Sequence, residues 1–216
     1  MPIGKSLRKK LVRFLRASFF SWKKVLCKKG KACYSMKEVK KMKIRSIQPT
    51  DYPAVAQLVR EAFQQSEHGY QGEVAIVTNI RQESSYHPEL EVVALDEQND
   101  ELLGHGLLSE VAIVNETTSF TGLVLAPLAV APAAQNQGVG GQLLNELEKR
   151  AKELDYPFIS ILGHPDYYPR FGYVPASRFQ IEAPFPVPDE AFLIKEITPG
   201  GLAGVSGVVH YSKAFE

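Results

Sequence analysis

The sequence predicts an α/β fold of the mixed α+β kind: a central, mostly antiparallel twisted sheet flanked by helices. Three observations carry this. Apolar runs of strand length recur between residues 43 and 212, amphipathic stretches with helical spacing interrupt them, and the strand-like runs between 90 and 130 are joined by short polar turns. Residues 43–47 alternate and read as a first strand. Thr50 and Pro53 signal a helix start, with Thr50 as cap and Pro53 in the first turn. Val55, Leu58, Val59, Ala62 and Phe63 then form one apolar stripe, which the glycines at 69 and 72 end. Residues 73–83 read as a second helix with Val74, Val77 and Ile80 on one face. Strands are expected at 90–96, 102–114 and 120–130. The strongest helix spans 138–154, where Val139, Leu143, Leu144, Leu147 and Ala151 share a face and Glu146, Glu148, Lys149 and Lys152 lie off it. A buried strand at 157–162, a short helix or turn at 165–171 and a last strand at 205–212 complete the chain, with an irregular Pro-rich stretch at 183–188. Consecutive strands imply antiparallel pairing, and the strand–helix–strand unit 121–162 implies one parallel crossover.

The 216 residues are 44% hydrophobic and 23% charged, enough for a sizeable core and unlike a disordered, collagenous or disulfide-stapled chain. The net charge of +1 conceals an asymmetry: residues 1–41 hold 14 Lys/Arg and one acid, whereas residues 42–216 hold 11 Lys/Arg and 23 acids. A boundary is therefore expected at Met42, between a basic extension (1–41) and the main domain (42–216). Residues 8–26 have the pattern of an amphipathic helix for an anionic membrane or nucleic acid. The alternative is an appended segment without a role, since Met36 and Met42 are both plausible starts. Membrane contact is expected only through residues 8–26, and an acidic main domain argues against a nucleic-acid partner. The longest apolar run, 122–134, is interrupted by Pro127 and Pro132 and falls short of the roughly 18 residues of a spanning helix. Both cysteines, Cys27 and Cys33, lie in the extension. The main domain needs no oxidising compartment, so a cytoplasmic location and no metal site are expected.

The chemistry concentrates at residues 128–141, LAVAPAAQNQGVGG. A buried strand runs into a glycine-rich turn and a strong helix follows at once. Amides at a helix start are unpaired and the helix dipole adds positive character there, while glycines let a bulky anion approach the main chain. The product is a phosphate or diphosphate cradle. A Walker loop would need Lys and Ser/Thr after its last glycine, but Gln142 and Leu143 follow Gly141. The dinucleotide fingerprint would need glycine at position 143, which is Leu143. On the glycines alone, a turn that merely packs a helix on a sheet is an equal alternative.

The spacing Gln135-x-x-Gly138-x-Gly140 resembles the acyl-CoA diphosphate loop of the GNAT superfamily of N-acetyltransferases. The flanks agree, with Leu128-Ala129-Val130 before the turn, Pro132 just after the strand and Leu143-Leu144 in the helix. Tyr168-Pro169-Arg170-Phe171-Gly172-Tyr173 resembles the superfamily's Tyr-x-x-Phe/Leu-Gly-Phe block and follows the next strand. The likeness covers about residues 43–212 and is greatest to uncharacterised bacterial acetyltransferases of small molecules or proteins.

That resemblance implies a GNAT-like fold and transfer of an acetyl group from acetyl-CoA, without a metal, to a primary amine of a small molecule or peptide. It implies direct attack in a ternary complex, and a homodimer as the default assembly. The amides of Gln137, Gly138, Val139, Gly140 and Gly141 would hold the diphosphate, with Gln135 and Asn136 rimming the turn. The backbone of Leu128, Ala129 and Val130 would run beside the pantetheine arm. Gln135, where many relatives carry Arg, removes a charge from the site. Tyr168 matches the general acid, with Tyr167 as alternate. Glu73 and Glu110 are the foremost candidates for the base, followed by His105 and His164. Residues 64–71 and 179–192 are expected to set acceptor specificity, with Ser66, Glu67, His68 and Tyr70 lining the first segment; the acidic domain would favour a cationic amine. The reading from another class is an acyl-CoA-binding sensor that kept the fold without turnover.

Overall fold

The computed structural model describes residues 41–64, 70 and 72–215. The amphipathic pattern at 8–26, the two cysteines and the acceptor-lining candidates Ser66, Glu67 and His68 lie outside the described residues. Among the described residues no helix is long and apolar enough to cross a membrane.

Among the described residues, nine strands form one mixed sheet. In chain order they are β1 (Met42–Ser46), β2 (Glu91–Asp96), β3 (Leu102–Val114), β4 (Ser119–Val130), β5 (Phe158–Leu162), β6 (Val174–Pro175), β7 (Ile181–Glu182), β8 (Phe192–Glu196) and β9 (Gly207–Tyr211). The helices are α1 (Tyr52–Gln64), α2 (Glu73–Ile80) and α3 (Val139–Glu153). The main path runs β1-β2-β3-β4-β5-β8-β6. One edge of β3 is shared, by β2 along its first half and by β9 from Val111 to Val114. The β4–β5 pair is parallel, as expected of a strand–helix–strand unit, and its neighbours are antiparallel.

The two faces of the sheet are covered by different helices. Leu143, Leu144, Leu147 and Ala151 of α3 are fully buried in one cluster with Leu108, Leu123, Ile159 and Ile161. Val139 joins them, so the whole predicted stripe faces the sheet. Gly104 and Gly106 let α3 come close: a methyl group on either would lie 2.8 Å from a leucine methyl, of Leu143 in one case and Leu147 in the other. On the opposite face, α1 buries Val55, Leu58, Val59 and Phe63 over Val93, Leu95 and Ala129. α2 buries Ile76, Val77 and Ile80 in the cluster that holds Leu107, Val111, Val124 and Ala126.

Three local expectations are corrected. The entry to α1 is not capped by Thr50. A 3-10 turn at Pro49–Asp51 leads into the helix, and Asp51 accepts the Gln48 N–H at 2.8 Å and both arms of the Arg45 guanidinium at 2.6 and 2.9 Å. The second helix ends at Ile80, before the expected Glu83, and its buried face is carried by Ile76 rather than Val74. No strand is expected from the sequence between 171 and 205, but β8 lies there, paired with β5 along its length, whereas the proline-rich stretch 183–188 is irregular as expected.

Leu147 is fully buried between α3 and β3. We expect Leu147→Ala to lower the free energy of unfolding by about 2–5 kcal/mol, the usual range for a buried leucine whose site cannot collapse. Urea denaturation with an unchanged slope is the check; a loss under about 1 kcal/mol would mean that α3 re-seats on the glycine-lined strand.

Candidate active site

The turn between β4 and α3 is built by backbone conformation. Asn136 and Gly138 have positive φ, +60° and +85°. Gly138 is the last residue before the helix, and a methyl group built on it would have open space within 4 Å. The turn is thus unplugged at its apex, and the first-turn amides of α3 lack intrahelical acceptors there. Two polar side chains stabilise it from within. Gln135 Nε2 donates to the Val130 carbonyl at 3.2 Å and Gln137 Nε2 to the Ala133 carbonyl at 2.8 Å. Gln135, expected at the rim, is therefore hydrogen-bonded back to the end of β4.

Beside this turn the sheet opens. β4 and β5 pair only at Leu123–Ile159 and Val124–Ser160, with Ser160 Oγ donating to the Leu123 carbonyl at 3.2 Å. Beyond that point β5 stays with β8, up to Leu162 opposite Phe192. Meanwhile β4 follows β3 through a bulge in which Leu125 and Leu128 face Leu108 and Gly106, two intervening residues against one. From 125 to 130 the β5-side edge of β4 has no strand partner among the described residues. Leu128, Ala129 and Val130 form the stretch of that edge nearest the turn.

The Tyr block closes the far side. A 3-10 turn at Tyr168–Phe171 follows β5. The Tyr168 ring lies across the bare Cα of Gly163 at the end of β5 and is buried at 6% exposure. Burial pushes its phenol well above the ordinary value. Tyr167 reaches the turn instead. A methyl group on Gly140 would lie 2.7 Å from the Tyr167 hydroxyl, and one on Gly141 would lie 3.1 Å from the Phe171 ring. Tyr167 and Phe171 therefore form an aromatic ledge against the first turn of α3, their ring centroids 5.3 Å apart. The sequence named Tyr167 only as an alternate to Tyr168; the two rings meet edge to face, their centroids 5.1 Å apart, with Tyr167 turned toward Gly140 and Tyr168 toward Gly163.

Comparison with known proteins settles the family. The family model described as an acetyltransferase (GNAT) domain matches residues 43–176. The chain belongs to the GNAT acetyltransferase family. An uncharacterised N-acetyltransferase of Escherichia coli, YhbS, is 29% identical over 174 residues, covering 81% of this chain and 98% of YhbS. The crystal structure of YhbS in complex with CoA superposes with a TM-score of 0.71 at 28% identity, over 81% of this chain and 91% of that one. A GNAT family acetyltransferase from Brucella melitensis in complex with acetyl-CoA gives 0.66 at 27% identity, over 82% and 99%. The sheet, its helices and the class of enzyme thus agree with the expectation from sequence.

In this GNAT fold the candidate bases are scattered. Glu110 accepts the Tyr156 hydroxyl at 2.6 Å, on the face covered by α3 and beyond the C-terminal end of that helix. α3 has 15 residues and so is about 22 Å long, and its other end carries the turn. Glu110 thus lies away from the glycine turn, opposite Leu123 of β4 where that strand pairs with β5, and its carboxylate is engaged by Tyr156. Glu73 begins α2, fully buried, three residues before Ile76 in the cluster that holds Val124 and Ala126. It therefore lies on the helix that covers the point where β4 and β5 part. His164 Nδ1 accepts the Asp166 N–H at 3.2 Å and shapes the turn into the Tyr block.

His105 belongs to a charged cluster that the sequence did not reveal. Its Nε2 lies 2.7 Å from Glu91 Oε1, and both residues are fully buried. Arg81 Nε bonds both Glu91 oxygens at 3.2 and 3.1 Å, and Tyr86 donates to Oε2 at 2.7 Å. Arg81 also stacks on Tyr52, its Cζ 3.9 Å from the ring centre. The cluster ties β2 and β3 to the end of α2 and the start of α1. Its only trace in the sequence is an acid, Glu91, opening an otherwise apolar strand. Burial opposes ionisation of Glu91 and is the largest single influence. The hydrogen bonds from His105 and Arg81 together outweigh it and bring the carboxyl down to about 2.

A groove of about 450 Å³ lies along the late segment, lined by Ile181, Pro184, Phe185, Val187 and Phe192 with Glu182 and Asp189 exposed on it. Phe192, which lines it, pairs with Leu162 at the end of β5.

Because the folded value of Glu91 is depressed, its contribution to stability is complete above the unfolded value of about 4.5 and is lost as pH falls toward 2. For this buried group that amounts to about 3 kcal/mol. Glu91→Gln is expected to flatten the pH dependence of unfolding between about pH 4.5 and 2 by that amount. Parallel curves for the variant and the wild type would show that the cluster is not what fails in acid.

Proposed function

We propose that this chain transfers the acetyl group of acetyl-CoA to a primary amine of a small molecule or peptide, by direct attack while both substrates are bound. One observation carries the reading: an unplugged, left-handed glycine turn opens a helix beside a strand edge that has no partner. The solved relatives with CoA and acetyl-CoA support it. Bound acetyl-CoA supplies an activated acyl thioester.

The chain's own residues then have distinct tasks. Amides of Gln137, Gly138, Val139, Gly140 and Gly141 receive the diphosphate at the positive end of α3. The backbone of Leu128, Ala129 and Val130 takes the pantetheine arm as an added strand, with the arm's amides as partners. An edge amide on the same strand polarises the thioester carbonyl. Tyr168, at the end of β5 and held neutral by burial, donates its proton to the departing thiolate. Glu73 takes the proton of the amine directly or through a water, from the helix that covers the parting of β4 and β5. The groove by Phe185 and Phe192 receives the acceptor, and its Glu182 and Asp189 favour a cationic one. Direct attack needs no acyl-enzyme, and residues 42–216, which contain no cysteine, fit that.

An acetyl-CoA-dependent thiol-release assay over amines, polyamines, amino acids and peptides tests this directly. With an accepted amine, Tyr168→Phe is expected to lower kcat by about 10²-fold while leaving the KM for acetyl-CoA within a few-fold. Full turnover by the variant would move the proton donor elsewhere, and absence of any acetyl transfer by the wild type across the panel would overturn the reading.

A further inference from the structure

We propose that Arg170 supplies the positive charge for the CoA diphosphate; this rests on the acetyl-CoA reading above. The difficulty it resolves is electrostatic. A diphosphate brings concentrated negative charge, and the domain that must bind it holds 11 Lys/Arg against 23 acids. Between Arg81 and Lys149 there is no lysine or arginine at all. That gap includes β2, β3, β4, the glycine turn and the first ten residues of α3. Gln135, the position where a cation would be expected, is neutral and hydrogen-bonded back to Val130. The cations nearest in sequence to the turn are also committed. Arg150 bonds Glu146, Ser46 and the Glu89 carbonyl near the other end of α3, and Lys149 pairs with Glu153.

Arg170 reaches the turn from outside this stretch. The ledge of Tyr167 and Phe171 packs against Gly140 and Gly141, the bare positions of the first helical turn. The Arg170 guanidinium lies over that ledge, its Cζ 4.7 Å from the Tyr167 ring centre and 5.9 Å from that of Phe171. Its Nε donates to the Tyr167 carbonyl at 3.2 Å, which fixes the plane of the group. Its two Nη groups make no hydrogen bond or ion pair among the described residues. An exposed guanidinium anchored by Nε and by stacking, with both Nη groups available, presents a forked donor suited to phosphate oxygens. Anchoring also lowers the entropic cost of ordering a long side chain on binding. Glycine at 140 and 141 thus has a second use: it makes room for the ledge on which the cation rests.

The test is calorimetric titration of the full chain with CoA, dephospho-CoA and pantetheine, comparing the wild type with Arg170→Gln and Arg170→Lys. Arg170→Gln is expected to weaken CoA and dephospho-CoA alike, by about tenfold, and to leave pantetheine unchanged. Arg170→Lys should recover part of that loss, and the salt dependence of CoA binding should be shallower in Arg170→Gln. Equal affinity of wild type and Arg170→Gln for CoA overturns the proposal. A loss confined to CoA, with dephospho-CoA unaffected, also overturns it, because the arginine would then serve the 3′-phosphate. Should Arg170→Gln fail to fold, Arg170→Lys decides: a several-fold loss for CoA and dephospho-CoA with pantetheine unchanged supports the proposal, and unchanged affinity for all three overturns it. Failure of the wild type to bind any of the three would instead sink the acetyl-CoA reading on which the proposal stands.

Discussion

Two parallel strands that pair over only two residues are the constraint from which the rest of this molecule follows. β4 and β5 meet at Leu123–Ile159 and Val124–Ser160 and then part. Neither strand is short of partners elsewhere. β5 is held by β8 along its full length, and β4 by β3 through a bulge that bends it away. Each strand therefore obeys its outer neighbour, and from 125 to 130 the facing edge of β4 has no strand partner among the described residues. A bare edge on the outside of a sheet invites aggregation. Here it faces its own parting strand, within the sheet, where on the proposed reading an extended chain with amides completes it.

The helix start must stand in a fixed relation to that edge, and the packing of α3 provides it. Gly104 and Gly106 bring Leu143 and Leu147 down onto β3, so the helix cannot slide without opening a void. On the other face, the Glu91 cluster fixes the C-terminal end of α2 against β2 and β3, and the same helix carries Glu73 at its opposite end. A buried ionic cluster is seldom a net source of stability, because desolvation offsets most of the attraction. Its geometric effect is clearer: Arg81, Tyr86 and His105 converge on one carboxylate and permit one placement of α2.

Much of this was legible in the sequence. The α3 stripe from Val139 to Ala151 is a clean helical period and every member is buried. The turn at 135–141 and the Tyr block are recognised through their resemblance to GNAT motifs, since the glycines alone leave a mere packing turn open; each holds a glycine at positive φ, Gly138 and Gly172. What was hidden depends on register. Glu91 and His105 lie 14 residues apart and meet because Val93 faces His105, which sets Glu91 diagonally beside it on one face of the hairpin. Glu110 illustrates the reverse, since nothing near it in sequence announces Tyr156. β8 was masked by the prolines before it, although its own residues Phe192 to Ile194 are buried in the manner of a central strand.

The burial of Tyr168 raises a question about proton transfer that the site itself answers. A phenol pushed above its ordinary value of about 10 is a weaker acid than a free thiol near 8.5, so in water it would not protonate a thiolate. The comparison with water does not hold at the end of β5. On the proposed reading, the thiolate forms beside Tyr168, and the apolar surroundings that disfavour a phenolate disfavour a thiolate as strongly. Both acidities shift in the same direction, so the transfer exchanges a thiolate for a phenolate in one environment and burial by itself does not drive it. What burial secures is a phenol that keeps its proton until the thiolate forms beside it. Tyr167 is placed for a different task. Its hydroxyl lies at the helix start, where the dipole already favours negative charge, and there the useful contribution is shape and a platform for Arg170 rather than a proton.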